Sequence, residues 1–320
     1  MNKKKTVILH PPVKTKYAYE KLRCCKNCQS YTVLKEEKCT TCGKPGLRPV
    51  LEKARLTAKR TQYNDLLLGL FLTLLAILFS QTFQLMAISA AAGILLLGLL
   101  YFVQRQAFDS RISIELSKLF QRDRDKIAAG LIRNLEAAAA HEEEGRSYEM
   151  MREVAVIVHN DHIRRLQILL LQSFVLRKDM ELELEPLLLE DFDPELAEYI
   201  GELTKIKREL IKDKTFQYII KHEQQILGME KGEEILAGVA GAAIRLKHYV
   251  LAYSEFIARY ARRLPKDRFL RLYRMLAESP GHTDQNWERL SAEAARIYEE
   301  KYQWDADFQQ IKQRATTYDV

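Results

Sequence analysis

From Leu66 to Val103 the chain runs 38 residues without one Asp, Glu, Lys or Arg. As a single helix that stretch would extend roughly 57 Å, against a bilayer hydrocarbon core of about 30 Å. Two helices of about 18–19 residues each divide it better. The expected spans are Leu66–Phe83 and Leu85–Val103. They turn near Ser80-Gln81-Thr82-Phe83-Gln84, the one cluster of polar side chains in the stretch. A two-helix transmembrane hairpin in the lipid bilayer of the cell membrane is therefore expected. A re-entrant loop and a hairpin buried in a soluble core are the competing arrangements. No ionisable side chain interrupts the spans, which suits an anchor better than a transporter or proton channel.

Flanking charge orients the hairpin. Lys53, Arg55, Lys59 and Arg60 precede the first span, Arg105 and Arg111 follow the second, and the turn carries none. Lys and Arg are retained on the cytoplasmic side, so both termini are expected in the cytoplasm. Gly69, Gly93, Gly98 and the Ala90-Ala91-Ala92 run offer small surfaces for close packing, within the hairpin or in a homo-oligomer. The mean hydropathy of −0.26 would suit a soluble protein, so the membrane signal is local. Charge is uneven too: residues 1–65 carry 16 Lys and Arg against 5 Asp and Glu, and the other 255 carry 34 against 38. Residues 1–22 read as a flexible N-terminal arm. Their only apolar run, Val7-Ile8-Leu9 before Pro11-Pro12, is too short for a signal peptide, so the N-terminus is expected to stay where it was made.

All five cysteines fall between positions 24 and 42. Cys25-Lys-Asn-Cys28, ten residues, then Cys39-Thr-Thr-Cys42-Gly43 makes two CxxC turns. Each turn can aim two thiolates at one ion, and four thiolates complete a tetrahedral zinc shell. Gly43 suits a tight turn after the last cysteine, and Ser30–Leu34 is β-prone. Cys24 is the odd thiol and an alternate to Cys25 as first ligand. Over residues 25–45 the sequence resembles the zinc-ribbon family. The resemblance implies a small β module, spanning residues 23–47, closed around one structural zinc ion. It fixes no partner, since ribbons bind nucleic acid, proteins, or nothing beyond the metal. Disulfides and a redox dithiol are the alternatives. A cytoplasmic face is reducing, and no thioredoxin-like pattern surrounds either pair.

Between ribbon and hairpin, residues 48–65 interleave Arg48, Lys53, Arg55, Lys59 and Arg60 with Leu51, Ala54, Leu56 and Ala58. This reads as a basic juxtamembrane helix facing anionic headgroups. A nucleic-acid arm is the weaker reading, because Tyr63 is the only aromatic there to stack on a base.

Residues 105–320 read as one cytoplasmic all-α domain, so the chain as a whole is mainly α. Apolar residues recur at helical spacing, as in Leu116, Phe120, Ile127, Leu131 and Leu135. About eight to ten helices are expected between Ile112 and Tyr318, many of roughly 12–20 residues. Asp193-Pro194-Glu195 should open a helix running past Leu210, and Ser279-Pro280-Gly281 should break the chain before a cap at Thr283 or Asp284. Ile163–Leu176 reads as a buried central helix. Lys247–Arg263, Arg268–Glu278 and Trp287–Tyr302 suggest stacked helices. An α-solenoid of tetratricopeptide-like type and an irregular bundle both remain open, because no clean 34-residue period aligns.

Catalytic motifs are missing from the pattern, and the chain reads as a non-enzyme. There is no phosphate loop, dinucleotide fingerprint, nucleophile elbow or HExxH. His159 and His162 read as ordinary histidines rather than ligands. Arg259, Arg262, Arg263, Lys266, Arg268, Arg271 and Arg274 crowd one segment. They form either a solvated face paired with acids elsewhere or a surface for acidic proteins, anionic lipid or RNA. The expected protein is a bacterial-type, cytoplasm-facing membrane adaptor with protein partners. A membrane-tethered nucleic-acid-binding regulator is the alternative.

Overall fold

The computed structural model describes residues 4–278 and 285–317. The expected break at Ser279-Pro280-Gly281 and the caps Thr283 and Asp284 lie outside the described residues. The chain divides into two compact units. One comprises residues 12–159, and the other joins residues 1–11 to residues 160–320.

The first unit opens with a 3-10 turn, Ala18–Lys21, followed by strands β1 (Arg23–Cys25), β2 (Tyr31–Thr32) and β3 (Leu47–Pro49). They form an antiparallel sheet in the order β2-β1-β3, pairing Cys24 with Tyr31 on one side and with Arg48 on the other. Strand β3 passes directly into helix α1 (Val50–Leu78), whose first N–H donates to the Leu22 carbonyl at 2.9 Å. The expected basic helix and the first span are thus one continuous helix of 29 residues. Nothing in it compels a break, since it holds no proline and one glycine.

Four residues later α2 (Phe83–Gln106) returns. Thr82 caps it, its hydroxyl accepting from the Leu85 N–H at 3.3 Å. The turn lies where expected, though the first arm stops at Leu78. Close packing consumes two of the small residues. A Cβ added at Gly93 would sit 2.7 Å from Thr73, and one at Gly69 would sit 3.0 Å from Leu97, whereas Gly98 has nothing within 4 Å. Outward-facing side chains are large and apolar, with Phe79 82% and Phe83 80% exposed at the turn. Both helices are long and apolar enough to cross a membrane. At the base of the hairpin Asp65, the last charge before the apolar stretch, accepts from Arg111 at 2.9 Å and from Gln104 at 3.3 Å.

After a break at Ala107 come α3 (Phe108–Arg122), α4 (Arg124–Ala139) and α5 (Glu144–Ala155). Helix α3 packs along the stem of α1. The buried residues are Ile112, Leu116 and Leu119 on α3 and Val50, Ala54 and Ala58 on α1, both at helical spacing. Helix α4 packs on α5 and on β2.

Helix α6 (Asp161–Ser173) begins the second unit. Its buried face is Ile163, Gln167, Ile168 and Leu171, but Leu169 is half exposed, so it is amphipathic rather than central. An irregular stretch then buries Phe174, Leu176, Met180, Leu182, Leu184, Leu187 and Leu189. Helix α7 (Pro194–Ile206) is capped as expected, Asp193 accepting from the Leu196 N–H at 3.0 Å, but it ends at Lys207 short of Leu210. Next come α8 (Asp213–Lys221), α9 (Glu223–Leu227), α10 (Gly232–Ala243), α11 (Lys247–Ala252), α12 (Ser254–Tyr260), α13 (Lys266–Ala277), α14 (Gln285–Ile297) and α15 (Ala306–Thr317). Helix α7 packs on α6 and α10, α10 on α12, α12 on α14, and α13 on α15. Among the described residues from 105 onward every named element is helical, but a repeat array is not shown, since helix lengths in this unit range from 5 to 13 residues.

Three expectations change. Residues 105–320 do not cluster as one unit: α3–α5 group with the ribbon and hairpin, because α3 packs on α1, α4 on β2 and α5 on α4. Residues 4–11 are not a loose arm. Lys5 donates to Ser173 O and accepts from Val175 N–H, both at 2.8 Å, and Leu9 is buried. Among the described residues thirteen α-helices, rather than eight to ten, follow residue 107, since single residues interrupt longer helical patterns.

Candidate metal centre

Two turns of the same construction build the centre. In the first, the Gln29 N–H donates to Cys25 O at 3.1 Å and the Cys25 N–H to Ser30 O at 2.9 Å. In the second, the Gly43 N–H donates to Cys39 O at 2.8 Å and the Cys39 N–H to Lys44 O at 3.0 Å. The residue after each second cysteine takes a left-handed backbone, φ 58° at Gln29 and 68° at Gly43. Glycine adopts it freely, and at Gln29 it costs strain that the two turn bonds offset.

These turns aim Cys25, Cys28, Cys39 and Cys42 at one point, with all four Sγ atoms within 4.8 Å of one another. Cys25 and Cys42 are 3.7 Å apart, and Cys28 and Cys39 are 3.6 Å apart. An ion bound at about 2.3 Å by four tetrahedral sulfurs has S···S edges of about 3.8 Å, so the set fits a metal of that size with no position left open. The Ser30 hydroxyl lies 3.0 Å from Cys28 Sγ and 3.2 Å from Cys39 Sγ. That hydroxyl is the chief cause lowering the Cys28 thiol below its ordinary value. Burial opposes ionisation of Cys39, but Ser30 and the backbone N–H groups of Cys42 and Thr41 bring it to about 6. At Cys42 the Lys44 N–H favours the thiolate, yet burial and the three neighbouring thiols push it to about 11. Without a cation the four cannot all ionise together, and a divalent ion removes that conflict.

Cys24 takes no part. Successive strand residues face opposite ways, so β1 sends Cys25 to the centre and Cys24 to the other face. There Cys24 Sγ accepts from Lys53 Nζ at 3.3 Å and lies 3.6 Å from Gln29 Oε1. Of the two adjacent thiols, Cys25 is the one that joins the four-sulfur cluster.

Helix α4 and the residue before it hold the ribbon. The Tyr31 hydroxyl donates to the Asp123 carboxylate, while Asn134 accepts from Thr32 Oγ1 at 3.0 Å and from the Val33 N–H at 2.9 Å. Gly130 lets the backbones meet, since a Cβ there would lie 2.2 Å from Tyr31 O. The Arg122 guanidinium, then the Tyr31 hydroxyl and Lys53, outweigh burial and hold Asp123 down to about 2. Burial, then the bond to Asp123, raises the Tyr31 hydroxyl far above its usual value. The cysteine spacing marks the ligands but none of this support. The one available signal was the likeness of the two turns, which places Gln29 where Gly43 recurs.

The basic segment of the second unit is largely paired. Arg259 bridges Glu223 at 2.8 Å and Glu255 at 3.0 Å, Arg262 meets Glu300, Arg263 meets Glu233, and Lys266 meets Asp305 and Asp307. Arg268 lies 3.4 Å from Asp267, and Arg271 donates to Arg245 O at 2.6 Å. Arg274 is exposed. Nearby aromatics pack on one another rather than face solvent freely: Phe269, Tyr298 and Phe308 are buried, Tyr273 and Tyr302 are half-buried, and their ring centroids lie 4.7–5.7 Å apart in most pairs. Five of the seven are therefore salt-bridged, and Arg271 is bonded to a backbone carbonyl. His159 and His162 join no group of three potential ligands among the described residues, where the four cysteines form such a group.

Compared with protein-family models, with curated proteins and with solved structures, the chain matches none.

Proposed function

We propose that the chain is a membrane-anchored scaffold facing the cytoplasm, with one structural zinc ion. The observation that carries the anchor is the outward apolar surface of α1 and α2, bounded by basic residues and by the Asp65–Arg111 pair. An unpaired carboxylate at the edge of the hydrocarbon would be costly, and Arg111 neutralises it at the point where the apolar stretch begins. Lys59, Arg60 and Arg105 near the same boundary favour a cytoplasmic base for the hairpin. Zinc is favoured over other metals by four thiolates in a closed shell, and over disulfides by a reducing compartment. The scaffold reading needs protein partners and no catalytic group.

The nucleic-acid alternative has less support. Tyr31, the ribbon aromatic, is 2% exposed and bonded to Asp123, so it has no free face for a base. Lys53 is likewise engaged within the unit.

The test is membrane extraction followed by topology mapping. The chain is expected to stay in the pellet through alkaline carbonate, to dissolve in detergent, and to be cleaved at both ends by protease added from the cytoplasmic side. Recovery in the carbonate supernatant would refute the anchor. Affinity purification from the detergent extract should then retain specific proteins, and a chain that retains nothing is not a scaffold.

A further inference from the structure

We propose that metal binding at the four thiolates locks the stem of the hairpin, residues 50–60 of α1, onto α3 and the Asp123 junction that leads into α4, through Lys53. The proposal rests on the metal assignment above and adds a conformational role to it.

The centre and the stem share one cation. Lys53 Nζ donates to Gln29 Oε1 at 2.8 Å, to Cys24 Sγ at 3.3 Å and to Tyr31 OH at 3.4 Å. It also lies 3.9 Å from the Asp123 carboxylate and 5.4 Å from the centroid of the Tyr31 ring. Each ribbon acceptor is placed by a neighbouring metal-centre residue. Cys24 precedes the ligand Cys25, Gln29 follows the ligand Cys28, and Tyr31 follows Ser30, whose hydroxyl touches two of the sulfurs. Gln29 reaches Lys53 from a left-handed backbone that the first cysteine turn imposes.

Apart from the bonds of Tyr31 and Thr32 to Asp123 and Asn134, local structure holds these residues weakly. The three strands hold only two or three residues each, too few to persist alone. Structural metal sites of this kind draw their fold from the ion. When the metal leaves, Gln29, Cys24 and Tyr31 lose their fixed positions, so Lys53 loses its three ribbon acceptors and Asp123, still paired with Arg122, loses Tyr31 as the partner it shares with Lys53. The stem then rests on α3 through Val50, Ala54 and Ala58, two of them alanines with little apolar surface to bury. Because α1 continues without a break into the apolar arm, the state of the metal reaches the base of the hairpin along a rigid helix.

Hydrogen exchange on the full-length chain in detergent micelles, before and after zinc chelation, tests this. Chelation is expected to speed exchange about tenfold or more, not only in residues 23–49 but also in residues 50–60 and 123–134. A rise confined to residues 23–49 overturns the coupling while leaving the metal assignment intact. A chain that never held stoichiometric zinc overturns both. Lys53→Met should keep one zinc per chain yet show the fast stem before chelation. Gln29→Gly, which keeps the left-handed turn and removes the acceptor, should do the same more mildly. If both zinc-loaded variants protect the stem as fully as the wild type does, Lys53 is not the lock.

Discussion

Neighbouring cysteines in this chain have opposite fates. Cys25 ends in the metal centre and Cys24 beneath Lys53, because a strand alternates its side chains. Cys24→Ser should therefore retain one zinc per chain, while Cys39→Ser should lose it, as read by elemental analysis of purified protein. Equal retention by the two would mean that the four-sulfur centre is misassigned. Asp123 gives a second test, through pH. Its carboxyl is held down to about 2, chiefly by the Arg122 guanidinium and then by Tyr31 and Lys53. An unfolded aspartate titrates near about 3.9, so the ionised group stabilises the fold above that value and ceases to as pH falls through the folded one. The gap in Tm between wild type and Asp123→Asn, present at pH 7, should close as pH drops from about 4 to about 2. Acid also strips the metal, so the same pair measured after chelation at pH 7, where Asp123 keeps Arg122, separates metal loss from protonation. A gap that persists at low pH would assign its role to packing alone.

Among the elements, α4 shows best how backbone proximity sets a sequence choice. An alanine in place of a mid-helix glycine ordinarily stabilises by about 0.5–1 kcal/mol. At Gly130 the added carbon would meet Tyr31 O at 2.2 Å, so Gly130→Ala should instead cost about 1–3 kcal/mol, with the ribbon pushed off the helix. Gly98→Ala, with open space around it, should be neutral or slightly stabilising. Thermal unfolding of both in detergent decides, and equal behaviour would refute the close approach. The hairpin and the cysteine turns were legible because each follows a strict rule, one of uninterrupted apolar length and one of ligand spacing. The helix breaks at Ala107, Asp123, His222 and Tyr253 were not. Each is a single residue with ψ between 6° and 26°, and none is a glycine or proline that would announce itself. Tertiary packing bends the chain there, and local propensity does not record it. The pairing of the arginines was hidden for the same reason, because Arg259 finds Glu223 and Arg262 finds Glu300 only once α9, α12 and the turn after α14 are assembled.

In the whole molecule, chain order and unit order disagree. Residues 4–11 belong with residues 160–317, while everything between them forms the ribbon and hairpin unit. The start of the chain therefore completes a unit whose remainder follows about 150 residues later, and that contact spends loop-closure entropy that grows only slowly with length. What the contact returns is local. Lys5 closes two backbone hydrogen bonds onto Ser173 and Val175 where α6 has ended, and Leu9 covers apolar surface nearby. Lys4 adds a pair with Glu202 on α7. Removing residues 1–11 should leave those two backbone groups without partners and expose the face beneath Leu9, at a cost of about 2–4 kcal/mol to this unit. The metal centre, which lies in the other unit, should keep its zinc. The measurement is hydrogen exchange in residues 163–206 of the truncated full-length chain beside its zinc content. Faster exchange with full zinc is expected. Unchanged exchange would return residues 4–11 to the status of a loose arm. Loss of zinc would mean that the two units do not fold independently.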